Sequence, residues 1–454
     1  MQNTQSLFSD FSGISSKQWK QQLQFELRGE DYNDVLVWNS PEDIKVKPFY
    51  HADENVTNFS IATKASDFKI CQNIFVFDVE KSILKTNDSL VRGAESICYH
   101  IENEEIDIEK LLDNPKLKGV AVHLDLNFIS ANFITKIEKK ANKSEIRIFL
   151  NLDPIGHLAK DGNWMKTENK DNFESLNKLS NLNPTISIDA SLYQNAGANI
   201  VQQLAYAMAH ANEYFNNLKN PGKTIVFKLA VGSNYFFEIA KFRALRLLFQ
   251  TISSEYQPGF ECYILATPSK RNKTIYDYNT NLLRTTTETT SAILGGADAI
   301  ANLAYDAIYH KDNEFGDRLA RNQLLILKHE SYLNQVNNPA DGSYYIESLT
   351  QQLAEKALIL FKEIENAGGF IKQLKEGTIQ KKIAESAQKE QDLFNSGKEV
   401  LVGTNKYPNP NDHMKHDLEL YPFVKLNPRK TLITPIIEKR LAEKMEQDRL
   451  KTEQ

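Results

Sequence analysis

Val120 to Phe128 reads VAVHLDLNF, and the alternation in it decides the fold. Val120, Val122, Leu124, Leu126 and Phe128 fall on one face of an extended chain, and Ala121, His123, Asp125 and Asn127 on the other. The beat returns in IRIFLNL from Ile146, which sets Ile146, Ile148 and Leu150 against Arg147, Phe149 and Asn151. It returns again in TISIDAS from Thr185, with Ile186 and Ile188 against Ser187 and Asp189. In TIVFKLA from Thr224 it sets Ile225, Phe227 and Leu229 against Val226, Lys228 and Ala230. IFVFDV from Ile74, ECYILAT from Glu261, ADAIANL from Ala297 and SYYI from Ser343 bring the expected strands to eight. Between strands, apolar residues recur at steps of three and four, as in Val201, Leu204, Ala205 and Met208, or Phe236, Ile239, Ala240 and Ala244. Repeated strand and helix units demand a parallel sheet, and eight of them favour an α/β fold of the (β/α)8 TIM barrel type over an open doubly wound sheet.

Barrel strands covered by helices outside and by one another inside are usually apolar on both faces, so the polar set needs a reason. With the apolar faces turned to the helices, the interior holds His123, Asp125, Arg147, Asp189 and Lys228. Unpaired charges there would be strongly destabilising, and the mixture of signs points to pairing. The expectation is an internal polar network of Asp125 and Asp189 with Arg147 and Lys228, filling the barrel without an open axial tunnel.

At 454 residues the chain is long enough for one large barrel with extensions at its ends. A formal net charge of −5 argues against a general nucleic-acid surface. The start MQNTQSLFSDFSG has neither a basic n-region nor a long apolar stretch, and no run is long enough to span a bilayer. A cytoplasmic location is expected, with neither membrane nor nucleic acid as partner. Cys71, Cys98 and Cys262 form no CxxC pair and suit a reducing compartment. Residues 1–53 read as an N-terminal arm, in which Trp19, Leu23 and Leu27 recur at four-residue steps after Ser15 or Ser16 as cap. An arm cannot bury two tryptophans alone, so Trp19, Leu23, Leu27 and Trp38 are the candidate subunit-interface residues. Residues 54–405 are assigned to the barrel and 406–454 to a C-terminal tail, where Ile437, Leu441 and Met445 mark a charged terminal helix that is solvated by default.

Asn338 to Leu349, NPADGSYYIESL, joins turn formers to an expected short strand, with Ser348 or Thr350 as cap of the next helix. Leu353, Ala357, Leu360, Phe361 and Ile364 share one face of that helix, and Gly368-Gly369 supplies its stop. This unit resembles the acyl-CoA mutases, and among them the methylmalonyl-CoA mutase family. So do VWNSPEDIKVKPFY, FFEIAKFRALRLL, NTNLLRTTTETTSAILGGADAI and NEFGDRLARNQLLILKHES, so that the resemblance covers nearly the whole chain. It implies a barrel that sequesters a cobalamin-derived radical while a thioester-bearing carbon skeleton rearranges.

The departures from the family pattern matter as much. Where catalytic members resemble SGYHMQEAGA and use the histidine to hydrogen-bond the thioester carbonyl, this chain has DASLYQNAGA from Asp189, with Leu192 at the histidine position. A PRLSFF-like CoA strand becomes Phe227-Lys228-Leu229-Ala230, leaving Lys228 and Ala230 as degenerate CoA positions. RTHSQTSGW gives way to CYILATPSK, and HTN to Ile300-Ala301-Asn302. The family's D-x-H-x-x-G motif is matched by nothing closer than DPIGHLAKDG from Asp153, whose spacing is wrong, so no cobalamin-binding domain and no cofactor bound by this chain are expected. The resemblance therefore implies no catalytic residue here. It implies a non-catalytic small, or β, subunit in a heterodimer with a catalytic large subunit that holds adenosylcobalamin and interconverts (R)-methylmalonyl-CoA and succinyl-CoA.

Two alternatives stay open. One is an active acyl-CoA mutase barrel completed by a separate cobalamin-binding protein, which the substituted histidine counts against. The other is an unrelated TIM-barrel hydrolase using Asp125 and Asp189, which would need an open mouth and a neighbour raising one carboxylate's pKa. No metal site is expected, since His413 and His416 have no evident third ligand. Pro221-Gly222-Lys223-Thr224 has Asn217 where a P-loop needs glycine and reads as a turn, and Gly295-Gly296 reads as a helix cap.

Overall fold

The computed structural model describes residues 9–54, 57–167, 171–179, 186–256, 259–425 and 428–453. The barrel strands are β1 (Lys69–Phe75), β2 (Ser96–Ile101), β3 (Ala121–Leu126), β4 (Arg147–Asn151), β5 (Ile186–Asp189), β6 (Thr224–Val231), β7 (Glu261–Pro268) and β8 (Ala299–Ile300). They pair in parallel in the order β4-β3-β2-β1-β8-β7-β6-β5. Between β4 and β5 the ring is joined by a bridge of Leu152 to Ile186, with Ser187 N donating to Leu152 O at 3.1 Å. The result is a nearly closed parallel barrel of the (β/α)8 TIM type. A helix follows every strand, from Val79–Val91 after β1 to Glu314–His329 after β8. Val122, Leu124, Ile188 and Phe227 turn outward into the main apolar core with Ile134, Leu204 and Phe242 of the covering helices.

The strand count is reached differently from the sequence reading. Ser96–Ile101 was not among the expected strands, yet SICYHI buries Ile97, Tyr99 and Ile101 outward and turns Ser96, Cys98 and His100 inward. SYYI is not a strand: Tyr344–Asn366 is one helix with Ser343 at its N-cap, and Ser348 and Thr350 lie inside it rather than capping it. The aromatic residues that suggested a strand instead pack sideways, Tyr345 lying 5.1 Å from Tyr50 and 5.3 Å from Phe236 between ring centroids. Glu347 in the first turn accepts from Gly342 N at 3.0 Å, as a helix N-terminus favours. Leu353, Ala357 and Ile364 are the buried face, and Gly368 and Gly369 stop the helix with φ of 103° and 88°. IFVFDV overruns its strand, which ends at Phe75. The stretch TISIDAS begins one residue outside the described ones, at Thr185. Gly296 caps Thr280–Gly295 with φ 88°, and Gly222 lies in a turn with φ 81°.

In the arm, Ser15 caps Ser16–Glu26 through a capping box with Gln18. The tail departs from the expectation of a solvated terminal helix. Its helix is Glu443–Thr452, so Ile437 and Leu441 precede it. The segment before it straps the C-terminal end of the barrel: Ile433 N donates to Gly162 O, Ile436 N to Ala159 O, Lys439 N to Asn195 O and Leu441 N to Arg271 O, at 2.7–3.1 Å. The helix is pinned by Glu446, whose carboxylate accepts from Ile275 N at 2.9 Å and pairs with Arg440 at 2.6 Å. Glu453 holds the other end by accepting from Met414 N and Lys415 N at 2.9 and 2.8 Å. Glu446→Ala should cost about 1–3 kcal/mol in urea unfolding, because Ile275 N loses its acceptor while Arg440 keeps the carbonyls of Pro422 and Lys273. An unchanged midpoint would show that the strap holds without this anchor. Among the described residues no helix is long and apolar enough to cross a membrane.

Candidate functional site

The inward residues near the C-terminal ends of β2 to β6 converge on Asp125. In register, His100 stands beside Asp125, Asp125 beside Asn151, and Asp189 beside Lys228. Lys228 Nζ lies 2.7 Å from Asp125 Oδ2 and 3.5 Å from Asp189 Oδ2. His100 Nδ1 is 3.1 Å from Asp125 Oδ2, and Asn151 Nδ2 donates to Asp125 Oδ1 at 2.6 Å. The Ser191 hydroxyl donates to Asp189. Burial alone would raise the Asp125 pKa, but the Lys228 charge and His100 outweigh it and hold the carboxyl well below the usual range. The same pairing, with Asp125 and Asp189 offsetting burial, holds the Lys228 ammonium well above its ordinary value.

Arg147 is not part of this network. It is the first residue of β4, paired with Ala121, four residues below the Asp125–Asn151 level and therefore ~13 Å along the strand. Its guanidinium is exposed at the opposite mouth, 4.8 Å from the Phe149 ring centroid. His123 also stands apart. It is fully buried, neither ring nitrogen makes a well-formed hydrogen bond among the described residues, and burial, opposed by Asp125 and Asn151, lowers its pKa to about 4. Its ring stacks on Phe149 at 4.5 Å and lies 5.3 Å from Tyr263, while Phe149 and Tyr263 are 4.6 Å apart. Three aromatic rings thus occupy the barrel axis below the charged level.

Leu192 is 2% exposed and belongs to the main apolar core. Ala230 is buried, and its carbonyl accepts from Lys241 Nζ at 2.7 Å. Lys241 is itself fully buried, paired with Glu238 at 2.5 Å and donating to Gln194 Oε1 at 2.9 Å and Gln203 Oε1 at 3.1 Å. Gln194 therefore supports a structural cluster. Gly197, with φ 101°, has room for no side chain: a Cβ there would meet Ala387 Cβ at 2.5 Å.

The sequence reading missed a second buried hub. Asp153, just past β4, accepts from Gly156 N at 2.8 Å, Asp189 N at 2.8 Å, His210 Nε2 at 2.8 Å and Tyr214 Oη at 2.7 Å. His210 Nδ1 lies 2.9 Å from Tyr193 Oη. Burial raises the Asp153 pKa, but His210 and the other donors outweigh it and the carboxyl sits below its ordinary value. An N-cap aspartate signal was visible in DPIGH; its partners, 36 to 61 residues away, were not.

In the arm, Trp19, Leu23 and Leu27 are half-buried, Trp19 lying 4.5 Å from Phe49 between ring centroids. Trp38 is 47% exposed and meets Phe237 edge-on at 5.6 Å. Phe25 is 80% exposed. Over the C-terminal face, a cavity of about 830 Å3 lies between the strap and the barrel, lined by Lys160, Asn195, Arg271, Tyr421, Arg429 and Lys439 among others.

The charged mouth binds and orders itself: Asp125 is kept ionised, which is the reverse of what a carboxylate acid catalyst needs. Residues 103–448 match the family model described as methylmalonyl-CoA mutase. The methylmalonyl-CoA mutase small subunit of Porphyromonas gingivalis is 32% identical over 89% of this chain and 71% of its own length. The methylmalonyl-CoA mutase of Cereibacter sphaeroides is 29% identical over 86% of this chain and 64% of its own. The methylmalonyl-CoA mutase small subunit of Propionibacterium freudenreichii subsp. shermanii is 30% identical over 71% of this chain and 53% of its own. With a matching barrel and these relatives, the chain belongs to the methylmalonyl-CoA mutase family.

Proposed function

We propose that this chain is the non-catalytic small subunit of a heterodimeric methylmalonyl-CoA mutase, supporting a large subunit that holds adenosylcobalamin and interconverts (R)-methylmalonyl-CoA and succinyl-CoA. The observation that carries the reading is Leu192, an apolar side chain packed in the core where the family resemblance puts a thioester-binding histidine. Lys228 and Ala230, at the CoA positions, are engaged by Asp125 and Lys241. The His123, Phe149 and Tyr263 rings fill the barrel axis. In this reading the large subunit holds the cofactor, and no step is derived through it. What the chain contributes in this reading is a folded barrel and an arm whose Phe25 and Trp38 present apolar surface for pairing.

Purified alone with adenosylcobalamin and methylmalonyl-CoA, the chain should give no turnover. Co-expressed with a large subunit, it should co-purify at a one-to-one ratio. Leu192→His should not create activity, because the axis and the CoA positions stay filled. Turnover by the isolated chain, or failure to associate with a large subunit, would overturn the reading.

A further inference from the structure

The mouth of the barrel holds a set of soft and borderline donors beside the charged network. Cys98 and His100 alternate on β2, His123 and Asp125 alternate on β3, and the register puts Cys98 beside His123 and His100 beside Asp125. All four project inward. Ligand atoms of Cys98, His100 and Asp125 lie within 4.8 Å of one another. Cys98 Sγ is 3.9 Å from His100 Nε2, and His100 Nδ1 is 3.1 Å from Asp125 Oδ2. One sulfur, one imidazole nitrogen and one carboxylate oxygen from adjacent strands form a donor set of the kind that zinc-class cations take.

A second observation points the same way. His123 is fully buried, and among the described residues neither ring nitrogen makes a well-formed hydrogen bond, the Asn151 amide being its polar neighbour. Buried polar atoms without partners are rare, because each carries its desolvation cost without return. The one next to Cys98 in register is a common metal ligand.

We propose that Cys98, His100 and Asp125 bind one zinc-class divalent cation at the C-terminal mouth of the barrel. The side chain of His100 is 39% exposed, which gives the ion a path from the mouth. Binding exchanges the Cys98 thiol proton for the metal and releases that proton to solvent, with no change of oxidation state. Lys228, which pairs with Asp125, also stands 3.5 Å from Asp189 and keeps that carboxylate as counter-ion when Asp125 turns to the metal.

The test uses the full chain with Co2+ and Zn2+ as probes. Co2+ should bind one per chain with a thiolate-to-cobalt charge-transfer band in the near ultraviolet, and Zn2+ should displace it. Cys98→Ser should abolish the band, and His100→Ala should weaken binding at least ~tenfold. His413→Ala with His416→Ala, in the tail, should leave both unchanged. The wild-type spectrum decides even if a variant misfolds. No binding at micromolar cobalt, binding without the sulfur band, or a band that survives in Cys98→Ser would each overturn the site.

Discussion

Asp153→Ala should destabilise the chain by about 3–5 kcal/mol, the cost of breaking a buried charged hub from one side. The change strips the acceptor from His210 Nε2, Tyr214 Oη and the backbone N–H groups of Gly156 and Asp189, all at the seam where β4 meets β5. Among the described residues that seam is joined by a single bridge, which leaves little ladder to fall back on. Urea unfolding reads the effect, and a loss under about 1 kcal/mol would show that the four donors find other acceptors. Acid gives an independent reading. Folding depresses the Asp153 carboxyl below the ~3.9 of an unfolded aspartate. Its contribution is therefore fully present above that value and fades as pH falls through the folded value. The stability gap between wild type and Asp153→Asn should close in that window; a gap that widens there would contradict the assignment.

Arg243→Ala should cost a similar amount, about 3–5 kcal/mol. Arg243 joins the Tyr235–Ser253 helix to the NPADG turn: it pairs with Asp341 and with Glu347 Oε1 at 2.7 Å, and Nε donates to Thr350 Oγ1 at 3.4 Å. Glu347 is fully buried, and its carboxylate also accepts from Gly342 N at 3.0 Å and Phe59 N at 3.3 Å. Removing the arginine leaves that carboxylate buried without its cation. Removing both charges is milder, so Arg243→Met with Glu347→Gln should recover much of the loss. A coupling energy below ~0.5 kcal/mol in the double-mutant cycle would mean that the pair is dispensable.

What the sequence could tell follows from the range of the interactions. Alternation is local, so the inward placement of Asp125, Asp189 and Lys228 was legible from β3, β5 and β6. Position along the barrel axis was legible too, though the facing pattern alone hides it: Arg147 opens its strand and so belongs to the N-terminal mouth, while Asp125, Asp189 and Lys228 come late in theirs. Ser96–Ile101 escaped because its inward face is Ser96, Cys98 and His100, which reads as a polar interruption until barrel walls stand around it. With that strand went the Cys98 and His100 half of the donor set. Tyr344 and Tyr345 misled in the other direction. Aromatic residues suit strands and also suit a first helical turn that packs on Tyr50 and Phe236, and only the neighbours decide.

The strap over the barrel also sets an order of events during synthesis. Its contacts to Asp161 and Arg271 span 268 and 168 residues, so every barrel strand leaves the ribosome well before the segment that finishes the mouth. Until then the carbonyls of Ala159, Gly162, Asn195 and Arg271 face water rather than the strap. Long-range closures of this kind come late and slowly. The nascent chain therefore passes through a stage with a paired sheet and an uncovered end, and that stage is where a chaperone would find it and where aggregation would begin.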